Sequence, residues 1–390
     1  MNSFRYYQPT EILFGCGQIE KIAELSQRFG KRCLLVTTPS VPKLEPMFRK
    51  VREILAAGGL VVAHFDGIQP NPTTDNITEG AEAALSHGAD LVIGLGGGSA
   101  MDGAKAIAVE AAHEGTAWDY LFFRDAQPTD RTLPVIAVST TSGTGSQVTQ
   151  VAVITNTAER NKSAIYNSAV FPRASIVDPE LMVTVPKNVT AATGFDVFCH
   201  AFESLLHPQA SPLTDVLALS AIQMVVATLP AALEDLSDME ARTQMALADT
   251  YAGICIANAG VTLPHGVGMA VSGMYPHVAH GESLAAVYPA FTRFTQSSAV
   301  SQFAAVARIL DPSLRSVPDE QSAERSCDLI DGFLDRIGMA TSLKACAMPE
   351  EEISDLAEQS MVLPDYKANP RVASNEEMLE LIRDSYSRKR

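Results

Sequence analysis

The chain has 390 residues, 46% hydrophobic and 19% charged, the composition of an ordinary globular protein long enough for two or three domains. Its 29 Lys and Arg against 45 Asp and Glu give a net charge of −16, which speaks against nucleic acid and anionic lipid as partners. No run of about 18 apolar residues occurs, so no membrane span is expected. The start, MNSFRYYQPTEILFG, lacks the basic and long apolar regions of a secretory signal. Six scattered cysteines (Cys16, Cys33, Cys199, Cys255, Cys327, Cys346) form no CxxC and read as reduced thiols of a cytoplasmic protein.

In chain order, Arg32–Thr37, Gly59–His64 and Asp90–Leu95 are β-branched runs of strand length. Pro46–Ala57 and Asp75–His87 lie between them with apolar residues at helical spacing. That rhythm predicts a parallel sheet covered by helices on both faces. Leu133–Ser139, Gln150–Asn156, Ser163–Tyr166 and Ser175–Val177 are further strand candidates. From about Lys187 the strand signal stops, and Ala/Leu-rich helices such as Thr214–Leu229 and Glu240–Asn258 take over. The expected division is an α/β domain over 1–185 and an all-helical domain over 186–390, with a cleft between them as the place for a small ligand.

Asp90–Leu95 runs into Gly96-Gly97-Gly98-Ser99, and Ala100–Val109 follows as a helix. Glycines at such a turn let backbone amides and a helix N-terminus approach a phosphate; a tight turn needed only for packing is the alternative. Ser99 is the expected N-cap, with Asp102 in the first turn. Gly15-Cys16-Gly17 lacks the third glycine of the dinucleotide fingerprint and reads as a plain turn. A second polar turn, Thr140–Ser146 (TTSGTGS), follows the strand Val135–Ser139. Both turns fall at carboxyl ends of strands, where open α/β sheets bind ligands.

Asp196 and His200 stand four apart in a helical segment, TGFDVFCHAFESLL, on one helix face. Five of the eight histidines lie between 200 and 280: His200, His207, His265, His277 and His280. His207 falls in a Pro-flanked turn and is set aside. One carboxylate and three imidazoles suit Zn²⁺ or Fe²⁺ rather than Mg²⁺ or Ca²⁺. For each histidine alone, a hydrogen-bonded structural role remains the alternative.

Together these pieces resemble the iron-containing (group III) alcohol dehydrogenases across nearly the whole chain. GGGSxxDxxK is found at Gly96–Lys105, and TTSGTGSEVT at Thr140–Thr149 with Gln147 in place of Glu. Lys162, the segment Asp178–Leu181 (DPEL), the helix motif GxDxxxHxxE at Gly194–Glu203 and Asn369-Pro370-Arg371 complete the pattern. The resemblance implies a dinucleotide-binding α/β domain, a helical metal domain, and NAD or NADP with Fe²⁺, Zn²⁺ being the alternative ion. It places the metal on Asp196, His200, His265 and a later histidine. Thr38, Gly96, Gly97, Gly98, Ser99, Asp102, Thr140, Thr141, Ser146 and Lys162 would contact the cofactor, with Asp102, close to the nicotinamide, also expected as a catalytic residue.

The implied chemistry is hydride transfer between a metal-bound alkoxide and nicotinamide, run as alcohol oxidation or aldehyde reduction. The family habit implies a homo-oligomer, a dimer or larger. Same-fold alternatives are a glycerol dehydrogenase, a maleylacetate reductase or a dehydroquinate-synthase-like lyase; a non-catalytic nucleotide- or metal-binding protein is the alternative from another class.

Two departures from the pattern stand out. Met269 replaces the second histidine of the family's HxxxH, and one extra residue precedes His280-Gly281. The Gly281 register assigns His280 as fourth ligand, leaving His277 as a proton relay or pocket residue, or as a surface histidine. The first strand ends Val36-Thr37-Thr38 without the Asp of NAD-preferring members and without an adjacent Arg. That leaves NAD and NADP both open.

Overall fold

Five of the β-branched runs pair side by side in one direction. In the computed structural model, which describes residues 3–388, the N-terminal half contains β1 (Glu11–Phe14), α1 (Ile22–Gln27), β2 (Arg32–Val36), α2 (Glu45–Ala57), β3 (Val61–Phe65), α3 (Thr74–His87), β4 (Leu91–Gly96) and α4 (Gly98–Glu110). It continues with β5 (Val135–Ser139), β6 (Val151–Asn156), β7 (Asn161–Tyr166) and β8 (Ala174–Val177). The main sheet has the order β1-β8-β5-β4-β2-β3, all parallel, while β6 and β7 form a separate antiparallel pair.

Alternation along each strand divides the core. Leu34, Val36 and Val92 face α3 and α4. Cys33, Leu35 and Ile93 face α1 and α2. Burial on both faces explains why these strands read as unbroken apolar runs. β1 was not foreseen: its four residues are too short to show a pattern, and among the described residues it is an edge strand held by β8 alone.

The C-terminal half is helical: α5 (Lys187–Leu206), α6 (Pro212–Glu234), α7 (Met239–Asn258), α8 (Leu263–Met274), α9 (His280–Thr295), α10 (Val300–Leu310), α11 (Asp319–Arg336), α12 (Ile353–Gln359) and α13 (Asn375–Ser387). One compact unit comprises Tyr7–Pro186 with Leu236–Ala246; the other comprises Met1–Tyr6, Lys187–Asp235 and Leu247–Arg390.

By length and composition α6 is apolar enough to cross a membrane, although no unbroken apolar run exists. Its scattered Thr, Ser and Gln interrupt the run without lowering the overall apolar character. One side packs on α5 and α10; Leu213 and Val216 on another are exposed.

Candidate active site

The two faces of α5 do different work. Phe195, Phe198 and Phe202 point into an aromatic core with Tyr288 of α9 and Phe303 of α10, ring centroids 4.9–6.0 Å apart between successive partners. Asp196, His200 and Glu203, spaced i, i+4, i+7, share the other face. All three are buried.

Glu203 organises what stands opposite. Its carboxylate accepts the backbone N–H of Thr262, at 2.9 Å, at the residue that caps α8. It also accepts from Nδ1 of His265 at 2.7 Å. With Nδ1 so engaged, Nε2 of His265 is turned to Asp196 Oδ1, 3.5 Å away. His200 Nε2 approaches the same oxygen at 3.7 Å, and its ring stacks on that of His265 with centroids 4.5 Å apart. His280, the first residue of α9, brings its Nε2 to 3.9 Å from that oxygen. Gly281 makes this approach possible: a β-carbon there would collide with the carbonyl of Ala192 in α5.

The donor set fits a metal ion. Donor atoms of Asp196, His265 and His280 all lie within 4.8 Å of one another, and His200 flanks them. Asp196 Oδ1 and His265 Nε2 are buried without a hydrogen-bond partner, a costly arrangement unless something binds between them. The 3.5–3.9 Å separations compare with roughly 3.4 Å between ligands of a tetrahedral ion with ~2.1 Å bonds.

Electrostatics agree with that fit. Burial alone would raise the Asp196 carboxyl, but the histidine rings outweigh it and lower it to about 2. Burial alone would lower His265, but Glu203 and Asp196 raise it to about 10. A field that favours a proton so strongly between two carboxylates also favours a divalent cation in its place. Asp365, in the turn Pro364–Ala368 beside Gly266, adds a third carboxyl. Burial pushes it up to about 6 against the opposing charge of His265.

In the N-terminal unit the glycine turn leads into α4, with Gly97 at the N-cap and Gly98 as the first helical residue. Ser99 is therefore not the cap expected from sequence; Gly97 adopts the cap geometry two positions earlier. Ser99 Oγ instead accepts the Asn71 N–H at 3.3 Å. Lys162 on β7 donates to Asn71 Oδ1 at 2.8 Å, so Ser99, Lys162 and the unforeseen Asn71 converge. Asn71 has φ +56°, a strained value for a side-chain-bearing residue. A β-carbon on Gly98 would lie 2.5 Å from Thr144 Cγ2, so the two polar turns pack directly together. Gly98→Val should therefore displace the Thr140–Ser146 turn. It is expected to raise the dinucleotide dissociation constant by about tenfold or more, ~1.4 kcal/mol, with metal content unchanged; calorimetric titration checks this.

Asp102 and Lys105 lie beneath that turn. Asp102 accepts from Ser146 Oγ at 2.6 Å and from the Val153 N–H at 3.2 Å. Lys105 Nζ, fully buried, donates to the carbonyls of Ser146, Thr149 and Val151 at 2.7–3.0 Å. Burial raises the Asp102 carboxyl despite nearby Lys105; burial also lowers Lys105 to about 8 despite Asp102. With both its oxygens engaged, Asp102 braces the segment 146–153. Sequence pointed to Lys105 only as a motif letter.

His277 is not brought to the Asp196, His200, His265 and His280 cluster. It is exposed, its Nε2 lies 3.2 Å from the Cys346 carbonyl, and its ring meets Tyr275 edge-on. The α8–α9 connection that carries it turns the ring outward. His277→Ala is accordingly expected to keep its metal and a turnover within about twofold of the parent, as for surface positions generally. Elemental analysis with initial-rate assays tests this.

Residues 9–179 match the family described as iron-containing alcohol dehydrogenase, and residues 190–386 match the C-terminal family of Fe-containing alcohol dehydrogenases. The chain belongs to the iron-containing alcohol dehydrogenase family. It is thus an oxidoreductase acting on CH–OH groups. It is 30% identical to an NAD-dependent methanol dehydrogenase of Bacillus methanolicus, covering 97% of this chain and 99% of the relative. It is 31% identical to a 1,3-propanediol dehydrogenase of Klebsiella pneumoniae, covering 98% and 99%. The crystal structure of an archaeal halo-thermophilic alcohol dehydrogenase from a Red Sea brine pool superposes with a TM-score of 0.94 at 36% identity, covering 98% and 99%.

Proposed function

We propose that this iron-containing alcohol dehydrogenase family member interconverts a small alcohol and its aldehyde with a nicotinamide dinucleotide and a divalent ion, Fe²⁺ in the first place and Zn²⁺ as the alternative. The observation that carries the reading is the set of Asp196, His200, His265 and His280 around one buried oxygen, with two donor atoms left without hydrogen bonds. These four residues would hold the ion, and a divalent ion supplies Lewis acidity toward an alcohol or carbonyl oxygen. The nicotinamide carries the hydride.

The chain's own residues do the remaining work. Glu203 fixes the His265 tautomer and ring orientation, a support that strengthens a metal-ligating histidine. Gly96, Gly97, Gly98 and Ser99 offer backbone and hydroxyl groups to the pyrophosphate at the start of α4. Thr38, Thr140, Thr141 and Ser146 line the carboxyl ends of the strands as cofactor contacts. Lys162 brings a positive charge to the same end. Asp102 keeps Ser146 in place from below.

A cytoplasmic homo-oligomer, a dimer or larger, belongs to the same reading. Six free cysteines support a reducing compartment. Exposed Phe4, Tyr6, Leu213 and Val216 offer apolar surface to a second copy. The deciding experiment is a screen of alcohols and aldehydes with both dinucleotides after loading with Fe²⁺ or Zn²⁺, followed by the absorbance of reduced nicotinamide. Metal-dependent turnover of a simple alcohol is the expected result; cofactor binding without turnover of any alcohol or aldehyde would refute the reading.

A further inference from the structure

β2 and β4 are neighbours, with Val36 opposite Gly94, so Thr37 and Thr38 end level with the glycine turn after β4. In open α/β sheets a dinucleotide crosses these strand ends. A carboxylate there accepts from a free ribose 2′-hydroxyl, whereas an arginine accommodates a 2′-phosphate. Position 38 carries a hydroxyl instead of a carboxylate, and the sequence neighbourhood holds no arginine. The fold supplies one from α2.

Arg52 Nη1 lies 2.7 Å from His64 Nδ1 on β3. A guanidinium only donates, so Nδ1 accepts and the ring proton sits on Nε2. Nε2 donates to Thr37 Oγ1 at 2.9 Å, and that hydroxyl donates to the Thr38 carbonyl at 2.8 Å. This chain of hydrogen bonds ties the guanidinium to the strand end. Glu45 occupies the other terminal nitrogen of Arg52 at 2.7 Å and also accepts from the Ser40 hydroxyl. The Arg52 and Glu45 side chains are 31% and 40% exposed, so this network is open to a ligand.

We propose that Arg52, with the hydroxyls of Ser40 and Thr38, forms the subsite for the 2′-phosphate of NADP(H). Glu45 is the internal anion that occupies Arg52 and Ser40 when no dinucleotide is bound. The inference rests on the dinucleotide reading above and goes beyond it by choosing between the two cofactors. A phosphate displaces Glu45 because it offers more acceptor oxygens and more charge to the same fork.

The test is calorimetric titration of the full chain with 2′,5′-ADP and 5′-AMP, alongside kcat/KM with NADP⁺ and NAD⁺. The parent protein should bind 2′,5′-ADP at least about tenfold more tightly than 5′-AMP, as charge-assisted recognition of the extra phosphate implies. Arg52→Gln should remove most of that difference while leaving 5′-AMP affinity unchanged. Thr38→Asp, which leaves Arg52 in place, should also abolish it by placing a carboxylate beside the phosphate. Equal affinities in the parent, or a preference untouched by both substitutions, would overturn the proposal. The nucleotide titration requires neither metal nor turnover. A clear preference for 2′,5′-ADP in a protein that oxidises no alcohol would therefore sink the dehydrogenase reading and leave this subsite standing.

Discussion

Asp196→Ala is expected to leave the purified protein without its divalent ion and to lower turnover by roughly 10²–10³-fold or more, the scale of losing a preorganised electrostatic stabiliser. Asp196 contributes the carboxylate to a set whose other donors are neutral rings, and His200, His265 and His280 all converge on its Oδ1. Removing it leaves no anion to balance a dication among those donors. Elemental analysis of bound metal and initial rates with an alcohol give the answer. Full metal occupancy with the parent rate would refute the ligand assignment. Glu203→Gln is the milder companion. It keeps the shape but weakens the hydrogen bond to His265 Nδ1, so metal affinity should fall by about 10–100-fold while Asp196 and the three rings remain.

Lys105→Met is expected to cost roughly 3–5 kcal/mol of folding stability, because it breaks a buried charged pair by removing one partner. The ammonium holds three backbone carbonyls from a single segment, those of Ser146, Thr149 and Val151. Methionine fills similar space but donates to none of them, and Asp102 stays buried 3.9 Å from where the charge had been. The Thr140–Ser146 turn rests on this anchor, so dinucleotide affinity should fall together with the melting temperature. A thermal melt and a cofactor titration read the two effects separately. An unchanged melting temperature would show that the hydrogen bonds to Lys105 are replaceable.

The centre of the sheet was legible because β2, β4, β5 and β8 are buried on both faces, which leaves runs such as Cys33–Val36 and Leu91–Leu95 without polar interruption. The pair Asp196 and His200 was legible because helical spacing alone puts them on one face. The Gly281 register pointed to His280, and the structure brings that ring to Asp196; the reason lies in the steric fit of Gly281 against Ala192. β1 and the cap of α4 were misread for local reasons: one is too short to carry periodicity, and glycine can adopt cap geometry as readily as serine.

Residue types and their spacing determined by themselves the alternation of strand and helix, the switch to an all-helical half, the glycine turn before α4 and the Asp196–His200 pair on α5. Only the tertiary structure decided which distant groups support them. His265 and Glu203 are 62 residues apart, and Lys162 and Asn71 are 91 apart. Lys105 is separated from Val151 by 46 residues. Local periodicity encodes which face of an element is buried, but it carries no information about which buried polar groups meet across elements. Those meetings are set by packing, where an unpartnered buried donor or acceptor is costly and each must find its complement on whatever element lies opposite. The same holds for His277 and Arg52: three positions before His280, one ring turns outward to Cys346, while an arginine fourteen residues past Thr38 reaches the end of β2 through His64.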